Sequence, residues 1–339
     1  VTDRGSRELP FIDLVGSVCH SNGLPNAVFS DVSPNPTDED IARGKTVFNN
    51  GGHDGVIAIG GGSGMDAGKA ISLVGRNDAD LWDFDYDQPE SPDLSPGSFV
   101  PLICVPTTAG TGAETESTAM LTDTVQGVKR CIWHTTQKPL LAILDPEVTV
   151  NLPADLTAWT GCDALVHAIE AFSVPDWNPL CDGLALEAIR LISGSLESAV
   201  AHGDDLEARG AMLVGSCLAG ISFLKGLGLV HAMSHMVGAA CDTHHGLTNA
   251  VLLPPVLLYN KNALEEKVPL ICKAMGLPSE DFHSMYSSVV ELLDALEIPR
   301  GLSDLDVPES ELDSIAQKAY TDAARLTNPV SSTVSEIRD

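Results

Sequence analysis

Short runs of apolar residues alternate with longer mixed segments over the first half of the chain. The apolar runs are 26–32 (NAVFSDV), 54–60 (DGVIAIG), 99–106 (FVPLICVP) and 140–145 (LLAILD), each bounded by Gly, Pro, Asp or Asn. Such bounded runs are typical of buried strands. Between the first two lies 37–52, which opens with an N-cap threonine and an acidic first turn and ends in glycine, so it predicts a crossover helix. This alternation predicts an α/β domain with a parallel sheet.

After about residue 152 the strand pattern stops and helical periods take over. Four segments with apolar residues at helical spacing follow one another at 156–173, 180–203, 205–224 and 229–242. This pattern predicts an all-helical second half. A chain of 339 residues is also long enough for two domains. We therefore predict an α/β domain over 1–152 and an all-helical domain over 153–339.

Composition and charge exclude several classes of partner. The chain has 19 basic and 47 acidic residues, for a net charge of −28. Nucleic acids and anionic membranes attract clustered Lys and Arg, and the sequence has no such cluster. We interpret the acidity as a solvated surface suited to solubility or to a saline habitat.

The eight cysteines include no C-x-x-C pair, which is typical of a reducing cytosol. We find no signal peptide and no apolar run near the ~18 residues that a membrane span requires. The sequence therefore predicts a cytoplasmic protein.

A glycine-rich loop follows the second apolar run. Gly60, Gly61, Gly62 and Ser63 stand between that run and a helical segment, where backbone N–H groups can approach a phosphate closely. The loop departs from the G-x-G-x-x-G dinucleotide pattern at Met65, and it also fails the phosphate-loop pattern. It predicts a phosphate-cradling loop of another kind, with a tight turn that binds no ligand as the alternative.

A second polar loop, 105–117, follows the third apolar run. It supplies the hydroxyls of Thr107 and Thr108 and bare backbone at Gly110 and Gly112. Open parallel sheets bind ligands beyond the carboxyl ends of their strands, so both loops are expected at one edge. Together they point to a nucleotide.

Histidines and one aspartate form a possible metal site in the helical half. Asp163 and His167 are four residues apart, as are His231 and His235, and His245 follows. Residues at that spacing share a helix face. One carboxylate and three imidazoles suit a divalent transition metal such as iron or zinc, although any single histidine is more often a hydrogen-bonded core residue. We expect His244 to point elsewhere. Glu170 extends the face of Asp163 and His167 by one turn, and we expect it to be a surface carboxylate, with a residue that orients a metal ligand as the alternative.

The motifs GGGSGMDAGKA, PTTAGTGAE, DPEVT…LP, TGCDALVHAIEAF, GLVHAMSH and HHGLTNAVLLP occur in this order over nearly the whole chain. In this order they resemble the iron-dependent (group III) alcohol dehydrogenases. That resemblance implies a Rossmann-like dinucleotide-binding domain followed by a helical metal-binding catalytic domain, as in the dehydroquinate-synthase-like fold. Family proteins also extend beyond both ends of this sequence, so we expect Val1 and Asp339 to be trimmed ends.

The resemblance also assigns residues. It implies the metal ligands Asp163, His167, His231 and His245, with His235 as the catalytic residue that faces nicotinamide and substrate. The cofactor-binding residues it implies are Ser30, Gly61, Gly62, Ser63, Asp66, Thr107, Thr108 and Lys129. Ser30 stands where the family usually carries an acidic residue that repels a 2′-phosphate, and Asp31 follows it, so both NAD and NADP stay open.

The activity that the resemblance implies is NAD(P)-linked oxidation of a small alcohol, or reduction of its aldehyde, by a homodimer containing iron, with zinc as the alternative metal. Two other functions stay open. One is an NAD- and metal-dependent lyase or cyclase of the dehydroquinate synthase superfamily, for which Arg190, Arg209 and Lys225 are the main candidates to hold an anionic substrate. The other is a non-catalytic metal- or nucleotide-binding relative.

Overall fold

The computed structural model describes residues 1–339, except for the side chain of Pro96. The chain divides into two compact units. The first comprises Val1–Thr108 and Ala113–Thr149, and the second comprises Ala109–Gly112 and Val150–Asp339. The short segment Ala109–Gly112 comes from the second polar loop, 105–117, and its place in the second unit was not predicted from the pattern.

A parallel sheet with helices forms the first unit. Its strands are β1 (Val56–Gly60), β2 (Leu102–Pro106) and β5 (Leu141–Ala142) in the order β1-β2-β5, and β3 (Thr118–Asp123) pairs antiparallel with β4 (Val128–Trp133). Its helices are α1 (Pro10–Ser21), α2 (Asp38–Asn50) and α3 (Gly62–Val74). The predicted helix is confirmed, because α2 begins after Thr37 in a capping box with Asp40, but it does not connect two strands, since no strand precedes it among the described residues. The predicted parallel α/β architecture is also confirmed.

One predicted strand was wrong, and another was wrong in part. Within the described residues, 26–32 contains no strand, although Phe29 accepts a hydrogen bond from the N–H of Thr2 at 3.0 Å. Of 140–145 only β5 is a strand, and it lies at a sheet edge where Leu140 is 79% exposed. The sequence reading also missed the β3–β4 hairpin, whose strands pair with each other rather than with the parallel sheet.

The second unit is helical, as predicted. Its helices are α4 (Ala154–Ser173), α5 (Pro179–Ala201), α6 (Leu206–Ser222), α7 (Leu229–Cys241), α8 (His245–Asn260), α9 (Val268–Ala274), α10 (Phe282–Ala295), α11 (Leu312–Ala319) and α12 (Val334–Arg338). Helix α4 is buried over most of its length and packs against α5, α6 and α8. The side chains of α4 are therefore held rigidly in the core of this unit.

The segment Leu206–Lys225 corrects one expectation from the sequence. By length and composition it is apolar enough to cross a membrane, with half of the segment buried in the structure. Its buried positions include Met212 and Leu213, and α6 packs against α4 and α5. It also carries the buried guanidinium of Arg209, which bonds to carbonyl oxygens of the same unit. These contacts are those of a core helix.

Candidate functional site

Four side chains of the second unit converge on one point. Asp163, His167, His231 and His245 each place one potential ligand atom within 4.8 Å of all the others. The Oδ1 atom of Asp163 lies 3.8 Å from Nε2 of His167, 3.8 Å from Nε2 of His231 and 3.6 Å from Nε2 of His245. The predicted set of one carboxylate and three imidazoles is therefore brought together.

Three helices supply these groups. Asp163 and His167 lie one turn apart on α4 and so share a face. His231 lies in the first turn of α7, and His245 begins α8. Between α7 and α8 the chain reverses at Asp242, whose φ of 53° is left-handed. This reversal returns the chain so that α7 and α8 each present an imidazole to α4.

The hydrogen bonds at this point bring three potential metal-binding atoms to one amide nitrogen. Nδ1 of His231 lies 2.7 Å from Oε2 of Glu170, so a proton on Nδ1 leaves Nε2 as a bare acceptor. The amide nitrogen of Asn249 lies 2.7 Å from Oδ1 of Asp163 and 3.1 Å from Nε2 of both His231 and His245. Each of these three atoms can offer a lone pair, the two imidazoles in the tautomers that leave Nε2 unprotonated. A divalent cation would satisfy them, so these residues fit a metal ion.

The protonation states favoured here are those of metal ligands. Burial lowers the pKa of His231 well below its ordinary value and also lowers that of His167. Burial alone would raise the pKa of Asp163, but His167 and His245 lower it below the ordinary value. Neutral imidazoles and an ionised carboxylate are the forms that bind a metal.

Glu170 is not the surface carboxylate that we expected. It is 5% exposed, and besides Nδ1 of His231 it accepts the backbone N–H groups of Gly228 and Val230 at 3.0 and 2.7 Å. Burial raises its pKa to about 8 against the lowering effect of those N–H donors. The available signal in the sequence was its position on the helix face of Asp163 and His167.

His235 lies beside the four convergent side chains without being one of them. Its ring centroid is 5.9 Å from that of His231 and 5.6 Å from that of His245, and its side chain is 40% exposed. Nδ1 of His235 is 3.0 Å from Oδ2 of Asp322, a partner that sequence reasoning missed. An accessible imidazole held by a carboxylate can exchange protons with solvent. His244, as expected, points elsewhere and accepts the Leu247 N–H as the N-cap of α8.

Gly246 allows α8 to approach α4 closely. A β-carbon at Gly246 would lie 2.3 Å from the carbonyl oxygen of Trp159 and 3.1 Å from Cβ of Asp163. We therefore expect Gly246→Ala to push α8 away from α4, to lower the free energy of unfolding by about 1–3 kcal/mol and to reduce bound metal. Urea unfolding and metal analysis would measure both effects. Gly194→Ala on α5 is the control, because a β-carbon there meets nothing within 4 Å. Equal behaviour of the two variants would contradict the prediction.

In the first unit, the two glycine-rich loops lie at one edge of the sheet, as predicted. Gly60 at the end of β1 is paired with Pro106 at the end of β2. The N–H of Thr107 donates to the carbonyl of Gly60 at 2.9 Å, and a β-carbon at Gly61 would lie 3.5 Å from the side chain of Thr108. Helix α3 begins at the next residue, Gly62, without a side-chain cap. This arrangement suits a phosphate group.

Ser63 and Lys129 are both linked to the turn at 33–36. The hydroxyl of Ser63 donates to the carbonyl of Pro34, and the ammonium of Lys129 on β4 lies 3.2 Å from Oδ1 of Asn35. The structure thus places these two predicted cofactor residues against neighbouring residues of one turn.

Asp66 has protein partners for both carboxylate oxygens. Oδ1 lies 2.9 Å from the ammonium of Lys69, and Oδ2 accepts the N–H of Met120 at 3.0 Å. Lys69 is fully buried and also donates to the carbonyl of Ala113 at 2.9 Å. Asp66 therefore connects α3 to β3, and Lys69 connects α3 to Ala113 in the second polar loop.

Ser30 is partly buried, and its acidic neighbour is already paired. The carboxylate of Asp31 forms ion pairs with Arg4 and with Arg43, the latter at 2.9 Å. These two guanidinium groups lower the pKa of Asp31. Asp31, the acidic residue that follows Ser30, is therefore engaged by two arginines.

A different carboxylate, which sequence reasoning missed, lies against the glycine-rich loop. Oδ2 of Asp3 is 2.8 Å from the position of a β-carbon at Gly60 and 3.2 Å from that of one at Gly64. Asp3 is fixed there by accepting hydrogen bonds from the N–H and hydroxyl of Ser6, both at 2.8 Å. Bare backbone at the two glycines makes room for this carboxylate.

Comparison with known proteins identifies the family. Residues 1–146 match the family described as "Iron-containing alcohol dehydrogenase", and residues 157–339 match "Fe-containing alcohol dehydrogenase family, C-terminal".

Individual relatives agree with this match. The chain is 40% identical to the "Probable alcohol dehydrogenase EutG" of Escherichia coli (strain K12), over 89% of this chain and 75% of that protein. It is 36% identical to the "NAD-dependent methanol dehydrogenase" of Bacillus methanolicus, over 99% and 89%. A crystal structure of "1,3-propanediol oxidoreductase" superposes with a TM-score of 0.94 at 37% identity, covering 100% of this chain and 89% of that one. The chain belongs to the iron-containing alcohol dehydrogenase family.

Proposed function

We propose that this protein is a metal-dependent, NAD-linked dehydrogenase that interconverts a small alcohol and its aldehyde. The observation that carries the proposal is the convergence of Asp163, His167, His231 and His245 in a chain of this family. Relatives named as alcohol and methanol dehydrogenases support the reaction class. Iron is the proposed metal because the chain belongs to the iron-containing family. Zinc is the alternative, because the donor set suits both metals.

Each group of the chain has a part in this chemistry. The four convergent side chains would hold the cation, which supplies Lewis acidity toward the alcohol oxygen while nicotinamide exchanges the hydride. His235 would accept the alcohol proton and pass it to solvent, since its ring is partly exposed and held by Asp322. The start of α3 with Gly61, Gly62 and Ser63 would bind the pyrophosphate, beside Thr107 and Thr108.

The decisive experiment is a spectrophotometric assay. Purified protein loaded with Fe²⁺ or Zn²⁺ is mixed with a panel of simple alcohols, diols and hydroxy acids and with NAD or NADP, and absorbance is followed at 340 nm. We expect reduced nicotinamide to form with at least one small alcohol and to require added metal. Activity that persists after chelation, or no activity with any panel member, would contradict the proposal.

NAD is the proposed cofactor rather than NADP. The carboxylate of Asp3 lies against the glycine-rich loop, where its negative charge would disfavour the additional 2′-phosphate of NADP. In this proposal Asp3 repels the 2′-phosphate. The family usually has an acidic residue for that role at the position of Ser30, and the neighbouring Asp31 is paired with two arginines.

Removing the charge of Asp3 tests this cofactor preference. We expect Asp3→Asn to raise the ratio of kcat/KM for NADP to that for NAD on the order of tenfold, because one charge repulsion at short range is lost. Asparagine can still accept the Ser6 N–H, so the local turn is kept. Asp13→Asn on α1 removes an exposed carboxylate as the control. An unchanged ratio in Asp3→Asn would refute the assignment.

The structure disfavours a lyase or cyclase that holds an anionic substrate. Arg190 pairs with Glu187, Lys225 pairs with Asp182, and Arg209 donates to the carbonyls of Gly203 and Leu152. Each of the three cations considered for that function thus has a partner within the protein. A non-catalytic relative is disfavoured by the completeness of the ligand set.

We also propose that the protein is a cytoplasmic homodimer that binds neither nucleic acid nor membrane. The acidic composition supports the last two points, and no disulfide joins the described cysteines. Light scattering coupled to gel filtration would test the dimer, and a monomer mass would contradict it.

A further inference from the structure

We propose that Glu170 is a positioning residue for the metal centre. By fixing the ring and tautomer of His231, this buried carboxylate would set the affinity of the site for a metal without binding the metal itself. The inference rests on the proposed function only in assuming that the four convergent side chains bind a cation.

The contact between Glu170 and His231 is short and buried from solvent. Oε2 of Glu170 lies 2.7 Å from Nδ1 of His231, and the two side chains are 6% and 1% exposed. A proton held on Nδ1 by this carboxylate leaves the lone pair on Nε2, the atom that faces Asp163. A carboxylate on the remote nitrogen of a ligand histidine also increases the basicity of the binding nitrogen.

The same carboxylate holds the helix that carries His231. It accepts the N–H groups of Gly228 at 3.0 Å and Val230 at 2.7 Å, and that of His231 at 3.4 Å. N–H groups in the first turn of a helix have no partner inside the helix, so the acceptor oxygens of Glu170 stabilise them. Glu170 is on α4, so its contacts fix the first turn of α7 relative to Asp163 and His167.

The backbone at the start of α7 is shaped around this carboxylate. A β-carbon at Gly228 would lie 2.6 Å from Oε1 of Glu170, so only glycine admits the oxygen at this distance. The intervening N–H, that of Leu229, is bound separately by Oδ1 of Asn328 at 3.1 Å. Two buried side chains therefore cap the helix, and only Glu170 also contacts the ligand histidine.

Glutamine is the informative replacement for Glu170. It keeps the size of the side chain, but an amide nitrogen in place of either oxygen would face backbone N–H groups or Nδ1–H. We expect Glu170→Gln to weaken binding of Zn²⁺ to the apoprotein by about 10- to 100-fold, measured by competition with a chromogenic chelator. The readout is metal binding alone and does not depend on turnover.

Asn328→Ala is the matched control. Asn328 does not hydrogen-bond to His231. Its replacement removes the other cap of α7, at Leu229, together with the hydrogen bonds of Asn328 to Asn260 and Val330. If Glu170 acted only as a helix cap, both variants would lose similar stability and similar metal affinity. We expect Asn328→Ala to lower the melting temperature of the apoprotein while leaving the dissociation constant for Zn²⁺ within about threefold of the wild-type value.

A measurement on the wild-type apoprotein tests the inference even if the Glu170→Gln variant misfolds. In nitrogen NMR of histidine-labelled protein, His231 is expected to carry its proton on Nδ1. A proton on Nε2, wild-type Zn²⁺ affinity in folded Glu170→Gln, or an equal loss of affinity in Asn328→Ala would each overturn the inference. Tight, Glu170-dependent Zn²⁺ binding without alcohol oxidation would instead overturn the proposed function alone.

Discussion

Replacing Asp163 by asparagine is expected to remove the bound metal and to lower kcat/KM for alcohol oxidation by at least about 10³-fold. Asp163 provides the one carboxylate of the convergent set, and its Oδ1 atom lies within 3.8 Å of all three imidazole nitrogens. Asparagine preserves the shape of the side chain but removes the negative charge. Three neutral imidazoles would then have to hold a divalent cation in a buried site without a compensating charge.

Metal analysis and steady-state kinetics on the same preparation check this expectation. Asp155→Asn is a suitable control, because Asp155 lies on the same helix but is exposed and caps only its own first turn. Both variants should keep the helical circular dichroism of the wild type. Stoichiometric metal with near-normal turnover in Asp163→Asn would show that the four convergent side chains are not the metal centre.

Replacing His235 by alanine is expected to have the second largest effect. We expect kcat to fall by about 10²-fold while metal content stays at the wild-type level, because this imidazole is the proposed proton acceptor and lies outside the convergent set. Its Nδ1 contact with Asp322 predicts that Asp322→Asn lowers kcat in the same direction but by less.

Separate measurements of metal and turnover distinguish a proton acceptor from a ligand. His283→Ala on α10 controls for the loss of an exposed histidine. Loss of metal from His235→Ala would mean that His235 is a ligand and that its proposed part is wrong. A normal kcat would remove it from the mechanism altogether.

The helical unit was predictable because apolar residues recur along it at helical spacing. Helices α4 to α7 lie within two residues of the predicted starts, and the pairs Asp163–His167 and His231–His235 revealed their shared faces in the sequence. The sheet was less predictable. The run at 26–32 has apolar residues like those of a strand, but its backbone partners are a few residues at the start of the chain, too short a stretch to extend a ladder.

The convergence of the four side chains could be predicted, but their supporting contacts could not be assigned, and for Glu170 an orienting role was only the alternative. Glu170 and His231 are 61 positions apart, and Asp163 and Asn249 are 86 apart. Whether a polar residue so far away in the sequence contacts a metal ligand depends on how the helices pack. The spacing of residues along the chain does not determine that packing. Asp3 was missed for the same reason, since its neighbours Gly60 and Gly64 are far along the chain.

The burial of α4 has an evolutionary consequence. From Cys162 to Ser173 every residue of this helix is buried, so each one faces either the convergent side chains or the packed interior. A substitution that altered chemistry from here would also disturb packing, at a typical stability cost of about 1–3 kcal/mol. Substitutions that change the alcohol substrate should therefore occur at partly exposed positions on other elements, while the sequence of α4 changes slowly between lineages.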